Sequence, residues 1–188
     1  MDFLAELKER ICAKSLGPVE MSGLLKELLV NYYSNPDNIQ HPALKNRVYS
    51  EGSNTRILIE IGAFIEPALA EDRPAILISR GDWKAQPPTM EYGAVLGSSP
   101  KRYVRQFIGT HNINCIGKTY GEAEILAEET FKFLIHAEPL VAAEIPIANY
   151  IVNGLAAPKP VAEGRVHYIV AIPIQYSFSE AWTITFNP

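Results

Sequence analysis

Gly117, Lys118 and Thr119 are the residues in this 188-residue chain whose types and setting first suggest chemistry. They follow a strand-like run and precede a helical one, the position in which a glycine-rich loop cradles phosphates with its amides. The full pattern needs another glycine five positions before Gly117, and that position is Asn112. Residues 112–116 read NINCI, an extended run whose amides cannot wrap an anion, so nucleotide binding is not expected. Arg80-Gly81-Asp82 spells an adhesion tripeptide, but it reads as a turn closing a strand, with glycine for positive φ and aspartate for local hydrogen bonding.

The remaining reactive side chains lack partners in sequence. His41, His111, His136 and His167 sit on separate elements without an i,i+3 or i,i+4 ligand neighbour. None of Ser15, Ser22, Ser53, Ser98, Ser99 and Ser179 lies in a GxSxG elbow. Cys12 and Cys115 are the only cysteines and have no CxxC spacing, so reduced, buried thiols in a cytosolic compartment are expected, with Cys115 a core thiol between Ile113 and Ile116. No catalytic, cofactor-binding or metal site follows from these residues, and the chain reads as a building block of an assembly instead of an enzyme.

Composition sets the frame for the elements that would position any site. Hydrophobic residues make up 47% and charged residues 20% of the chain, which suits one folded domain over residues 1–188. A net charge of -4 and a pI near 5.6 give no basic footprint for gripping nucleic acid. The N-terminal stretch mixes charge with apolar residues and lacks the apolar core of a signal peptide, and no apolar run is long enough to span a bilayer, so a soluble protein is expected.

Periodicity then predicts the elements. Phe3, Leu4, Leu7 and Ile11 recur at helical spacing over residues 2–14, and a second helix starts near Ser22 and fades before Asn35-Pro36. Residues 34–55 read as mostly irregular, with a short helix at 42–47. Strands are expected at 56–65, where Ile57, Ile59 and Ile61 alternate with Leu58 and Glu60, and at 75–80, a continuous apolar run suited to the middle of a sheet. Residues 84–101 form a long segment rich in proline, glycine and serine. Its Met90, Tyr92, Val95 and Leu96 suggest an arm packing on a neighbour, against the plainer alternative of a β-hairpin. Residues 103–116 predict a long strand that changes phase at a bulge near Gly109.

The clearest helix covers residues 120–136, with Ala123, Leu126, Ala127, Thr130, Phe131, Phe133 and Leu134 inward and Glu124, Glu128, Glu129 and Lys132 outward. Residues 137–165 resist ordering, with a turn at Asn153-Gly154 and prolines at 158 and 160. Two closing strands follow, over 166–178 and 182–186, with Pro173 placing the first at an edge or bulge. This order predicts an α+β fold, a mostly antiparallel sheet with helices packed on one face. The opposite face would carry Leu58, Phe64, His167, Ile169, Ala171, Pro173 and Gln175, too apolar for solvent alone, with either a second helix layer or a subunit interface to cover it. Glu60 on that face would meet solvent or a basic group of a neighbouring subunit.

The strings RPAILISRGDW, GTHNINCIG, GEAEILAEETFKFLIHA and VAIPIQYSFSEAWTITF, in this order after a front helix, resemble the tail terminator and neck proteins of tailed bacteriophages across residues 56–186. That resemblance implies a virion subunit, assembled in the host cytoplasm, that forms a ring, typically a hexamer, ending the tail tube. The ring would join tube or sheath to the head connector, with DNA passing through without specific binding. Another head-tail joining or collar protein, or a small enzyme with a site assembled by the fold, are the alternatives. The implied interface residues are Leu58, Glu60, Met90, Tyr92, Val95, Leu96 and Ile169, with no cofactor, metal or membrane. The segments at 34–55 and 84–101 exceed a minimal terminator and would supply its additional contacts.

Overall fold

A computed structural model describes residues 17–62, 73–87, 89–90, 101–144, 149–163 and 165–184. The predicted helix at 2–14 and the residues Phe64, Tyr92, Val95 and Leu96 lie outside that set. The first described helix, α1 (Pro18–Ser34), starts with proline in its first turn, where the missing N–H costs nothing. It ends at Asn35, which is driven to an extended conformation before Pro36. A single turn, α2 (Pro42–Lys45), follows where the short helix was expected, capped by the His41 side chain. Strands β1 (Leu58–Ile61), β2 (Ala75–Ala85), β3 (Thr89–Met90) and β4 (Lys101–Gly117) lead to helix α3 (Tyr120–Glu144). Strands β5 (Asn149–Val152), β6 (Lys159–Glu163) and β7 (Arg165–Ile184) close the chain.

The strands form one sheet in the order β1-β2-β4-β7-β5, with β3 added to β4 and β6 to β7. Every pairing is antiparallel except β1 with β2. The fold is therefore α+β with a mostly antiparallel sheet, as its periodicity predicts. Alternate residues of the strands, including Ile59, Ile76, Ile78, Ile113, Cys115, Ile172 and Ile174, meet Leu24, Leu25 and Leu29 of α1 and Leu126 and Leu134 of α3 in one core. Burial of each such aliphatic side chain contributes roughly 2 kcal/mol. Both faces of β2 are covered at Ala75–Ile78, in keeping with its interior place.

Several boundaries differ from the sequence expectation, each for a local reason. Arg80-Gly81-Asp82 does not end β2; it forms a bulge inside the strand, where the register to β4 shifts by one residue between Arg80 and Trp83. A side chain at position 81 would collide with Thr110, so glycine admits the close approach of the partner strand. The bulge expected near Gly109 is thus absent from β4, whose pairing to β7 is continuous from Lys101 to Gly117. Its phase never changes because His111, a polar residue, takes a core-face position.

The segment expected to be a loop at 84–101 is flanked by hairpin pairing: Ala85 pairs with Phe107, and Met90 with Tyr103. Helix α3 continues past Pro139, which lies on its exposed side, to Glu144. The two closing strands are one strand of 20 residues. Pro173 lies in its interior, opposite Asn112 on one side. On the other side Pro173 falls between the stretches paired by β5 and β6, and its carbonyl accepts from Asn153 N at 2.9 Å. The missing N–H therefore points into a gap in the ladder. Pro160 is tolerated in β6 because that strand is a sheet edge.

Candidate functional site

The fold brings together one pair that sequence spacing could not show. Ser22, on the buried side of α1, and His111, on the core face of β4, meet with Oγ and Nε2 2.7 Å apart. A serine against a histidine is the geometry of an activated nucleophile, so the proton positions decide its meaning. The Ser22 hydroxyl donates its single hydrogen to the Pro18 carbonyl at 2.9 Å. Its oxygen is left to accept from His111 Nε2–H, which makes the imidazole a donor to serine and not its base. Nδ1, where an orienting carboxylate would sit, has no hydrogen-bond partner. Burial holds the His111 pKa down at about 4, so the ring is neutral at pH 7. This arrangement ties α1 to the sheet and does not activate a nucleophile.

Gly117, Lys118 and Thr119 form the N-terminal cap of α3. Thr119 Oγ1 accepts from Glu122 N at 3.1 Å, while a Glu122 carboxylate oxygen accepts from Lys118 N at 2.8 Å. The helix start where a phosphate would bind thus already holds a carboxylate. The other Glu122 oxygen accepts from Arg47 Nη1 at 2.8 Å and fastens the segment after α2 to α3.

Glu129 is the residue the periodicity misplaced. It was expected on the solvent side of its helix, yet it is only 4% exposed. Its carboxylate accepts from Tyr32 Oη at 2.6 Å, from Gln40 N at 2.6 Å and from His41 N at 3.1 Å. Burial, followed by the nearby Glu129 charge, pushes the Tyr32 hydroxyl well above its ordinary range. The charge organises residues 38–41 between α1 and α3. No sequence signal marks it, because its partners are backbone amides of a segment without periodicity.

A second polar chain crosses the core. Thr130 Oγ1 donates to Leu126 O at 2.7 Å, shares a 2.7 Å hydrogen bond with Tyr33 Oη, and accepts from Cys115 Sγ at 3.7 Å. Burial pushes the Cys115 thiol up to about 12. In a Cys12→Ser background, Cys115 is expected to resist a thiol-specific disulfide reagent at pH 8 until denaturant is added. Rapid labelling of the folded protein would contradict its burial.

No group of three or more histidine, cysteine, aspartate or glutamate side chains among the described residues could hold a metal ion. Likewise no described helix is long and apolar enough to cross a membrane. The chain matches no protein-family model and no curated protein.

The surfaces that remain are those of the sheet. On the face away from the helices, buried Leu58 and partly buried Ile169 pack with Ala75, Leu77 and Ile116 in a small second cluster. Beyond it lies a polar stripe across three strands: Asn114 Nδ2 donates to Ser79 Oγ at 2.9 Å, beside Asn112, Thr110 and Gln175. Glu60 is exposed and pairs with Lys26 Nζ of its own α1 at 3.2 Å. Exposed large apolar side chains lie on the helices, at Val19, Tyr120, Ile135 and Leu140, and on both lateral margins of the sheet. Ile61 at the end of β1 is 46% exposed, and on the opposite margin Ile151, Leu155 and Val161 are 37%, 43% and 39% exposed.

Proposed function

We propose that this chain is a structural subunit of a bacteriophage neck, which assembles into a ring that ends the tail tube and joins it to the head connector. The observation that carries the reading is the pair of apolar sheet margins. A ring needs a head-to-tail contact between two different surfaces, and Ile61 on one margin with Ile151, Leu155 and Val161 on the other provide two such surfaces on opposite sides of one rigid sheet. The long strands support it further. At about 3.3 Å per residue, the 17 residues of β4 and the 20 of β7 extend roughly 56 and 66 Å, against roughly 40 Å for the diameter of a compact domain of this size. Their far ends, with β3 beside them, form an arm suited to a neighbouring subunit or tube.

In this reading the protein acts by shape and adhesion. The ring caps a tube of fixed length, presents a docking face to the head, and lets DNA pass a net acidic wall without holding it. The residues proposed to contact neighbours are Leu58, Glu60 and Ile169 around the second cluster, with Met90 of β3 and Tyr92, Val95 and Leu96, which follow it in sequence. Light scattering and negative-stain imaging of the full chain test the proposal. A closed ring is expected, and Val161→Asp is expected to convert it to folded monomers. A monomer that persists at high concentration, or a two-fold dimer, would overturn it. Added to polymerising tail-tube protein, the ring is expected to halt growth.

A further inference from the structure

We infer that the Ser22–His111 contact is an acid-sensitive latch: neutral His111 holds the first turn of α1 on the sheet, and its protonation releases that turn while the rest of the fold persists. The inference is independent of the ring. His111 is fully buried on the core face of β4, donating through Nε2 to Ser22 Oγ, and Ser22 in turn donates to Pro18 O at the start of α1. One continuous hydrogen-bonded path therefore runs from the middle of the sheet to the helix start.

Burial weighs most against a second proton on the imidazole; the Pro18 backbone favours one, and the charge of Arg80 opposes it. The cross-strand neighbour of His111 on β2 is Arg80, a cation. From β7 the Tyr176 ring packs against it at 5.5 Å between centroids, and the Tyr176 hydroxyl has no hydrogen-bond partner of its own. On α1 the facing group is the Ser22 hydroxyl, and Glu20 in the same turn is exposed. Nδ1 has no acceptor, so a proton added there would be buried beside a cation without a hydrogen bond.

The size of the effect limits what opens. The folded pKa of about 4 against an ordinary 6.5 shifts the closed-to-open equilibrium by about 300-fold once the proton is taken up. Because the folded value is depressed, the latch is at full strength above about pH 6.5 and weakens as pH falls from there to about 4. One turn, anchored by Met21 and Ser22, is within that leverage. The whole helix is not, because Leu24, Leu25, Leu28 and Leu29 remain in the core.

Amide hydrogen exchange of the full chain by NMR, corrected for intrinsic rates, tests the latch. Between pH 6.5 and 4.5, protection at Met21 and Ser22 is expected to fall by about 40-fold more than at Leu126–Thr130 in α3. In His111→Gln, whose amide can still donate to Ser22, that difference is expected to vanish. A parallel loss in α1 and α3, or an unchanged pH response in His111→Gln, overturns the proposal. Should that variant fail to fold, titration of the wild-type imidazole decides: a folded pKa at or above 6.5 overturns it, and one near 4 sustains it.

Discussion

Replacement of Glu129 by alanine is expected to lower the free energy of unfolding by about 3–5 kcal/mol, the cost of leaving buried donors without their charged acceptor. The backbone amides of Gln40 and His41 lose their acceptor together, while the Tyr32 hydroxyl keeps only the Asn38 carbonyl, 2.8 Å away. The amides cannot relocate, because Ile39 beside them is buried in the core. A urea titration should show a lowered midpoint with an unchanged slope. Glu129→Gln keeps one acceptor oxygen but turns an NH2 toward the remaining donors, and is expected to cost about half as much. Spectroscopic titration gives an independent readout. In Glu129→Ala the Tyr32 hydroxyl is expected to ionise at lower pH than in the wild type, since the adjacent carboxylate no longer opposes its charge, while burial still does. Unchanged stability together with an unchanged Tyr32 titration would contradict the role assigned to this carboxylate.

The second large effect is expected at Gly117. A Cβ placed there would lie 2.5 Å from the backbone nitrogen of Ala123 and 3.0 Å from the Glu122 carbonyl carbon and Cβ. Two of these atoms are backbone in the first turn of α3 and cannot swing aside. Gly117→Ala must therefore push α3 away from the end of β4 or distort the Thr119–Glu122 cap, for a loss of about 2–4 kcal/mol. Gly121, with nothing near its Cβ, provides the control: Gly121→Ala is expected to be neutral or slightly stabilising through helix propensity. Equal stability of the two variants in thermal denaturation would show that the close approach at Gly117 is not required. This contrast also explains the Gly117-Lys118-Thr119 string. Its glycine answers a steric demand of the strand-to-helix junction, and its threonine caps a helix.

Much of the fold was legible because periodicity is a local property. Ile57 and Ile59, the run Ala75–Ile78 and the inward arc of α3 all declared their elements and their buried sides from spacing alone. The misses share one cause: at each, a tertiary neighbour outweighed local preference. Pro173 read as the mark of an edge or bulge and Pro160 as a breaker, yet each occupies a ladder position where no N–H is needed. The strand read as changing phase near Gly109, yet Ser22, 89 residues away in sequence, gives His111 a partner on the core face and the phase holds. Glu129 read as a solvent residue, yet amides from a segment without pattern converge on it.

The sequence by itself determined an α+β chain, its long antiparallel strands, its main helices and an acidic balance unsuited to gripping nucleic acid. Those follow from side-chain spacing and charge, which need no partner to be read. Only the tertiary structure decided which polar residues are buried, where β2 bulges, and that the two lateral margins of the sheet carry exposed apolar side chains. These depend on which strands become neighbours and on which lie at the sheet's limits, and strand order is set by contacts between residues far apart in the chain.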